Sequence, residues 1–337
     1  MTGNQAGASA PIEIQESAAE SERSGRGARV SRGLGGLAPL ELERVTVFGG
    51  EEEAAEPAVR LREATLTLAP GEWVTVVGVN GSGKSTLARL LAGLLPESMS
   101  GSVRRGFAGD DEVSPIVLQQ PKAQLFGETP REEVVFALEW RGVAADRIAA
   151  YAERAIHRAG LAALADEPWE RLSGGQQQMA AVAAATAYPS PLLVLDEATS
   201  MLDEDNRDAV MRRVRELHAS GTAVVWVTQR LDELGPDDRV IAVGAGSLAF
   251  DGRGREFLYG TAGGGTGRGQ REQGEQREQR GQLSGDVWPL SPCLSVGLRL
   301  PYLMELALEL RRLGKLSDPL PVTEQEWRTV WGSLENG

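Results

Sequence analysis

The chain has 337 residues, 41% of them hydrophobic, which is enough for one large domain or two smaller ones with a sizeable core. Its 35 basic and 48 acidic side chains leave a net charge of −13, which argues against a surface built as a whole for nucleic acid or anionic lipid. One cysteine, Cys293, excludes an internal disulfide and a multi-cysteine zinc site, and two histidines, His157 and His218, offer little for a histidine-based metal centre. No run of 18 apolar residues and no N-terminal signal core occur, so the expectation is a soluble cytoplasmic protein that meets a membrane only through partners.

Residues 1–38 are rich in Ala, Gly, Ser, Glu and Arg and read as a disordered tail. Strand-like and helix-like patterns then alternate over 39–260. Residues 59–68 alternate apolar and polar, Val74–Val77 is a short apolar run, and Thr86–Leu95 has helical spacing. Thr129-Pro130-Arg131-Glu132 predicts a capping box with proline in the first turn, opening a helix near 130–141. Helices are also expected over 176–187 and 203–219. Between them, 191–195 and 222–228 read as strands buried on both faces. This order predicts an α/β fold with a mainly parallel sheet, and a helical subdomain at about 120–180. Residues 261–286 are dominated by Gly, Gln, Arg and Glu and read as a flexible linker. A short interaction segment, 287–337, follows.

Gly78-Val79-Asn80-Gly81-Ser82-Gly83-Lys84-Ser85-Thr86 fits a phosphate loop, placed as such a loop must be between a strand and a helix. Its backbone amides and the helix N-terminus suit an anion, Lys84 would reach the β- and γ-phosphates, and Ser85 would ligate Mg²⁺. A second apolar strand ends in Asp196-Glu197, at the strand terminus where open parallel sheets bind ligands. Asp196 is the expected Mg²⁺ carboxylate and Glu197 the expected general base for an attacking water. Ser173-Gly174-Gly175-Gln176 opens an Ala-rich helix. Local physics leaves two readings of it: a capped helix after a glycine turn, or a second anion site.

The ordered set GVNGSGKST, LQQP, LSGGQ, LVLDEATSMLD and WVTQ resembles the ATP-binding subunit of ABC transporters, over about residues 39–260. The resemblance implies a phosphate-loop ATPase core and two subunits packed head to tail, each ATP lying between one subunit's phosphate loop and the other's LSGGQ. By it, Ser173, Gly174, Gly175 and Gln176 serve the nucleotide of the partner, Gln119 meets Mg²⁺ or water, and Asp203 belongs to the D-loop. Phe48 is the candidate for stacking on adenine. Pro121–Ala137, DEATSMLD and 294–331 resemble, more narrowly, the ATPases of energy-coupling factor (ECF) importers. That resemblance implies ATP and Mg²⁺ as cofactors, and uptake of a vitamin or transition-metal ion. The implied partners are a second ATPase, copy or paralogue, a transmembrane coupling protein and a membrane substrate-binding subunit, with no nucleic acid. It places the chain peripherally on the cytoplasmic face of the membrane. Leu303, Leu306, Leu310 and Leu313 would form an apolar stripe for assembly.

Two positions depart from the family pattern. Gln229 stands where a histidine usually meets the γ-phosphate, and Met179 where an arginine usually follows LSGGQ. Gln229 therefore joins Glu197 as a catalytic candidate, with slower hydrolysis expected. The other readings are the ATPase of another ABC transporter and a weakly hydrolysing regulatory ABC subunit.

Overall fold

The computed structural model describes residues 37–49, 58–109, 112–120, 124–260 and 291–334. The strands are β1 (Leu40–Gly49), β2 (Ala58–Leu68), β3 (Trp73–Val77), β4 (Met99–Arg104), β5 (Ile116–Val117), β6 (Leu192–Asp196), β7 (Ala223–Val227), β8 (Arg239–Gly244) and β9 (Ser247–Arg253). The helices are α1 (Lys84–Ala92), α2 (Pro130–Trp140), α3 (Ala145–Arg158), α4 (Gly174–Thr186), α5 (Glu204–Ala219), α6 (Gly254–Tyr259), α7 (Pro292–Ser295), α8 (Tyr302–Arg312) and α9 (Glu324–Leu334). The expected tail over 1–38, all but its last two residues, and the whole linker 261–286 lie outside the described residues.

Six strands line up in the order β5-β6-β7-β3-β8-β9, parallel from β5 to β8, with β9 antiparallel at the edge. Strands β3, β6 and β7 are buried at every position, as central strands covered on both faces must be. The two-residue period sorts their side chains. Val74, Val76, Leu192, Val194 and Val225 meet α1 and the inner side of the antiparallel sheet β2-β1-β4. Trp73, Leu193, Leu195, Val224 and Trp226 meet α2, α3, α4 and α5. His218 is half-buried, with its ring edge-on to Trp73 at 5.5 Å.

Helix boundaries follow local chemistry. Helix α1 stops at Ala92, short of the expected Leu95, because Gly93 takes φ 92° and closes the last turn onto Leu90 and Arg89 carbonyls. At α2, Thr129 accepts from Glu132 N at 3.3 Å, but the reciprocal bond expected from a capping box is absent among the described residues. The Glu132 carboxylate instead accepts from Glu128 N at 2.8 Å, one residue further back. The next carboxylate, Glu133, accepts from Phe126 and Gly127 N at 2.7 and 3.0 Å. Two guanidiniums close the far end of α4: Arg141 donates to Ala185 and Tyr188 carbonyls, and Arg213 to that of Thr186. Burial pulls the Arg141 guanidinium down to about 10.

Residues 291–334 share a core with β8 and α6. Cys293, Met304, Ala307, Leu320 and Trp327 pack with Val240, Ala242, Phe257, Leu258 and Tyr259. Tyr259 donates its hydroxyl to Pro321 O, and Arg255 pairs with Glu326 at 2.5 Å. The inward face of α8 is Met304 and Ala307, whereas Leu303 and Leu313 are 38% and 53% exposed. The expected leucine stripe is thus split, its middle leaning on this core and its ends facing outward.

Candidate active site

The loop after β3 folds as its glycines allow. A Cβ at Gly78, where φ is +151°, would lie 2.3 Å from Val243 O, and one at Gly83, where φ is +108°, 2.7 Å from Arg60 O. Only glycine tolerates both the conformation and the approach. The loop is held against its neighbours by Gly246 N donating to Ser82 O at 3.0 Å. Its last turn becomes α1, so the first amides of that helix open into the loop. Lys84, at the head of α1, is 4% exposed and donates to Val79 O at 3.1 Å.

Strand β6 delivers Asp196 and Glu197 beside this loop. Glu197 has φ +51°, a strained value for a residue with a side chain, and its N–H donates to Val227 O at 3.0 Å. That turn carries its carboxylate to Lys84, whose Nζ lies 3.5 Å from Oε1. Gln229, just beyond β7, donates to Glu197 Oε1 at 2.6 Å and to Asn80 Oδ1 at 2.6 Å. Gln119, just beyond β5, donates to Glu197 Oε2 at 2.9 Å. Three strand ends and the phosphate loop therefore converge on one carboxylate, 10% exposed.

Asp196 is 2% exposed, and its Oδ1 has no hydrogen-bond partner. Burial pushes its carboxyl upward, and the charge of Glu197 adds to this, against the Ser85 hydroxyl and the Arg89 and Lys84 charges. A buried carboxylate oxygen without a donor, next to a hydroxyl, is a set of hard oxygen ligands. Ser82 Oγ is likewise buried without a partner. Among the described residues no cluster of three or more His, Cys, Asp or Glu could hold a metal by itself.

Ser173, Gly174, Gly175 and Gln176 form the first turn of α4. Ser173 Oγ accepts from Gln176 N at 3.3 Å and Gln176 Oε1 accepts from Ser173 N at 2.8 Å, a complete capping box. Among the described residues these four make no hydrogen bond to the phosphate loop of their own chain; Gly174 and Gly175 lie against Met201. Asp203 caps α5, accepting from Asn206 N at 2.9 Å. Phe48 lies half-buried at the end of β1, opposite Val59 and one residue along β2 from Arg60, whose carbonyl faces Gly83. Met179 is 6% exposed and packs in an apolar cluster. The sequence reading singled out Gln124 only within the Pro121–Ala137 resemblance, without a structural role, and missed Gln178 and Glu233. Glu233 accepts from Trp226 Nε1 at 2.9 Å and from Thr199 Oγ1 at 3.0 Å, fastening the turn after Glu197 to β7. The one available signal was a polar Gln177-Gln178 pair inside an otherwise Ala-rich helix.

The ABC transporter family model matches residues 61–200. The energy-coupling factor transporter ATP-binding protein EcfA1 of Halalkalibacterium halodurans is 35% identical over 206 residues, 59% of this chain and 74% of that one. EcfA1 of Levilactobacillus brevis is 31% identical over 311 residues, 88% of this chain and 98% of that one. Among solved structures, the ATP-binding cassette MJ0796, a dimer in a post-hydrolysis state with ADP and Pi, superposes with TM-score 0.56 at 25% identity, covering 64% of this chain and 98% of that chain. CbiO1 from Clostridium perfringens, part of the ABC transporter complex cbiONQ, gives 0.51 at 25% identity, covering 64% of this chain and 89% of that chain. Fold, phosphate loop and relatives agree: this chain is an ABC-type ATPase and belongs to the energy-coupling factor transporter ATP-binding family.

Proposed function

We propose that this chain binds and hydrolyses ATP between paired ATPase subunits and so powers uptake of a vitamin or transition-metal ion through membrane partners. The single observation that carries the chemistry is Glu197, held at the mouth of the phosphate loop by Lys84, Gln119 and Gln229. Gly78, Gly81, Gly83 and Thr86 shape and continue the loop, whose amides with Lys84 cradle the phosphates. Phe48 is offered to adenine. An ionised carboxylate has about four acceptor positions; the three donors around Glu197 leave capacity for one more proton. Glu197 takes that proton from a water whose oxygen attacks the γ-phosphorus as the bond to ADP breaks. Gln119 and Gln229 hold the carboxylate in place for that transfer.

The donor set fits Mg²⁺: Asp196, with its unpartnered buried oxygen, Ser85 and Gln119 would hold it beside the phosphates. Bound there, the ion supplies neutralisation of charge on the transferring phosphoryl group. Ser173, Gly174, Gly175, Gln176 and Asp203 are proposed to act across the dimer, because within one chain they sit apart from the loop's hydrogen bonds. The second subunit is a copy or a paralogue, and the membrane partners are a coupling protein and a substrate-binding subunit. None of the described helices is long and apolar enough to cross a membrane; the position proposed for the chain is peripheral, on the cytoplasmic face. Residues 39–260 form the ATPase part and 287–337 the interaction segment. A second reading, a weakly hydrolysing regulatory subunit, is favoured by one feature, the neutral Gln229.

Co-expression with candidate membrane subunits tests the assignment. ATP-dependent uptake that disappears with Lys84→Ala supports it. Uptake unaffected by that change, or an ATPase that never joins a membrane complex, would remove it.

A further inference from the structure

Residue Leu118 immediately precedes Gln119, and its peptide groups are gripped from two sides. Its N–H donates to Gln124 Oε1 at 2.6 Å, and its carbonyl accepts from Gln178 Nε2 at 3.2 Å. Gln178 is fully buried in α4, and its Oε1 has no partner. Its neighbour Gln177 donates the other way, to Trp169 O at 2.9 Å and Leu172 O at 3.2 Å, on the turn that leads into Ser173. One helix thus touches the Ser173 turn through Gln177 and the Gln119 backbone through Gln178.

An apolar side chain in place of Gln178 would remove one hydrogen bond and one unsatisfied buried acceptor, and would leave the Leu118 carbonyl without this donor; because Leu118 is only half-buried, the cost in stability is expected to be modest. We propose that Gln178 is a positioning residue. Through Leu118 it sets where the Gln119 amide meets Glu197, and so ties the setting of the α4 turn, which faces the partner's nucleotide, to the carboxylate of this chain's own site. Gln124 is the second jaw of the same grip. The inference rests on the roles given above to Glu197 and to the α4 turn. Displacement of a reacting group by about 1 Å costs on the order of a hundredfold in rate, so a loosened Leu118 is expected to act on turnover far more than on binding.

The test uses the full chain in the assembly in which the wild type turns over ATP. For Gln178→Met the expected result is a fall in kcat of about tenfold or more, with KM for ATP within about twofold and reduced cooperativity between the two sites. The melting temperature should stay within a few degrees of wild type. Gln178→Glu is the second variant. A buried carboxyl is held protonated, and in that form it can donate to Leu118 O. Turnover should recover as pH falls and be lost as pH rises through that group's raised range, a profile absent from wild type. Gln124→Met combined with Gln178→Met should lose less than the product of the two single losses, since both act on one residue. Unchanged kcat in Gln178→Met, or loss of kcat only in step with loss of folded protein, would overturn the proposal. Glu197→Gln run alongside separates the two levels. If that variant keeps full turnover, the reading of the site fails; if it is inactive while Gln178→Met is normal, only the role of Gln178 fails.

Discussion

The Gln229 side-chain amide lies 2.6 Å from Glu197 Oε1 and 2.6 Å from Asn80 Oδ1, joining the end of β7 both to the phosphate loop and to the Glu197 carboxylate. Both contacts use the same nitrogen, so this residue donates and orients but cannot exchange a proton near neutral pH. Replacing it by histidine supplies a group that titrates near 6.5. Gln229→His is expected to hydrolyse ATP severalfold faster in single-turnover assays and to acquire a pH dependence in the histidine range. An unchanged rate and profile would leave Gln229 as a neutral positioning group.

Asp196 is a buried acid whose carboxyl is pushed above its usual range. The sign follows. A folded value above the unfolded one means that stability is full below the unfolded pKa and is lost as pH rises through the folded one. Ionised Asp196 therefore weighs against the nucleotide-free fold at neutral pH. Asp196→Asn should raise the melting temperature of the nucleotide-free protein at pH 7, narrow the gain from Mg²⁺-ATP, and lower turnover by about a hundredfold or more. A melting temperature clearly below wild type would contradict this account of the site.

The C-terminal unit provides a probe of its own docking. Cys293 is the chain's single cysteine, is fully buried, and has its thiol pushed up to about 12 by burial. Thiol labelling at pH 8 should be slow and limited by opening of residues 291–334. Trp327 is 2% exposed in the same core, and Trp327→Ala should destabilise this unit by about 3–5 kcal/mol. Labelling of Cys293 should then accelerate by orders of magnitude. Equal labelling rates in the two proteins would mean that the unit is not held by this core.

The sequence made the parallel core and the phosphate loop readable for a physical reason. Val74–Val77 and Leu192–Leu195 are apolar at every position, and only strands covered on both faces bury such runs. Glycines at 78, 81 and 83 announce the loop because their backbone angles exclude other residues. What brings Gln119 and Gln229 onto the two oxygens of Glu197 is long-range strand order, which no local pattern encodes. The α8 stripe illustrates the opposite limit. Helical spacing marks Leu303, Leu306, Leu310 and Leu313 as one face, but the packing partner buries Met304 and Ala307 most deeply, takes Leu306 and Leu310 only in part, and leaves Leu303 and Leu313 exposed. Gln178 stands out in the sequence only as a polar residue in an Ala-rich helix; its partner Leu118 is set by tertiary packing, which that local pattern does not name.

A Glu197→Gln substitution tests the central claim most directly, because it keeps the side chain's shape and removes its basicity. ATP binding and steady-state hydrolysis should be measured on the same preparation, with sedimentation in the presence of ATP. The account predicts binding within about threefold of wild type, turnover reduced by about a thousandfold, and an ATP-bound dimer that persists. Turnover within twofold of wild type would contradict it and take the proton-accepting role away from Glu197.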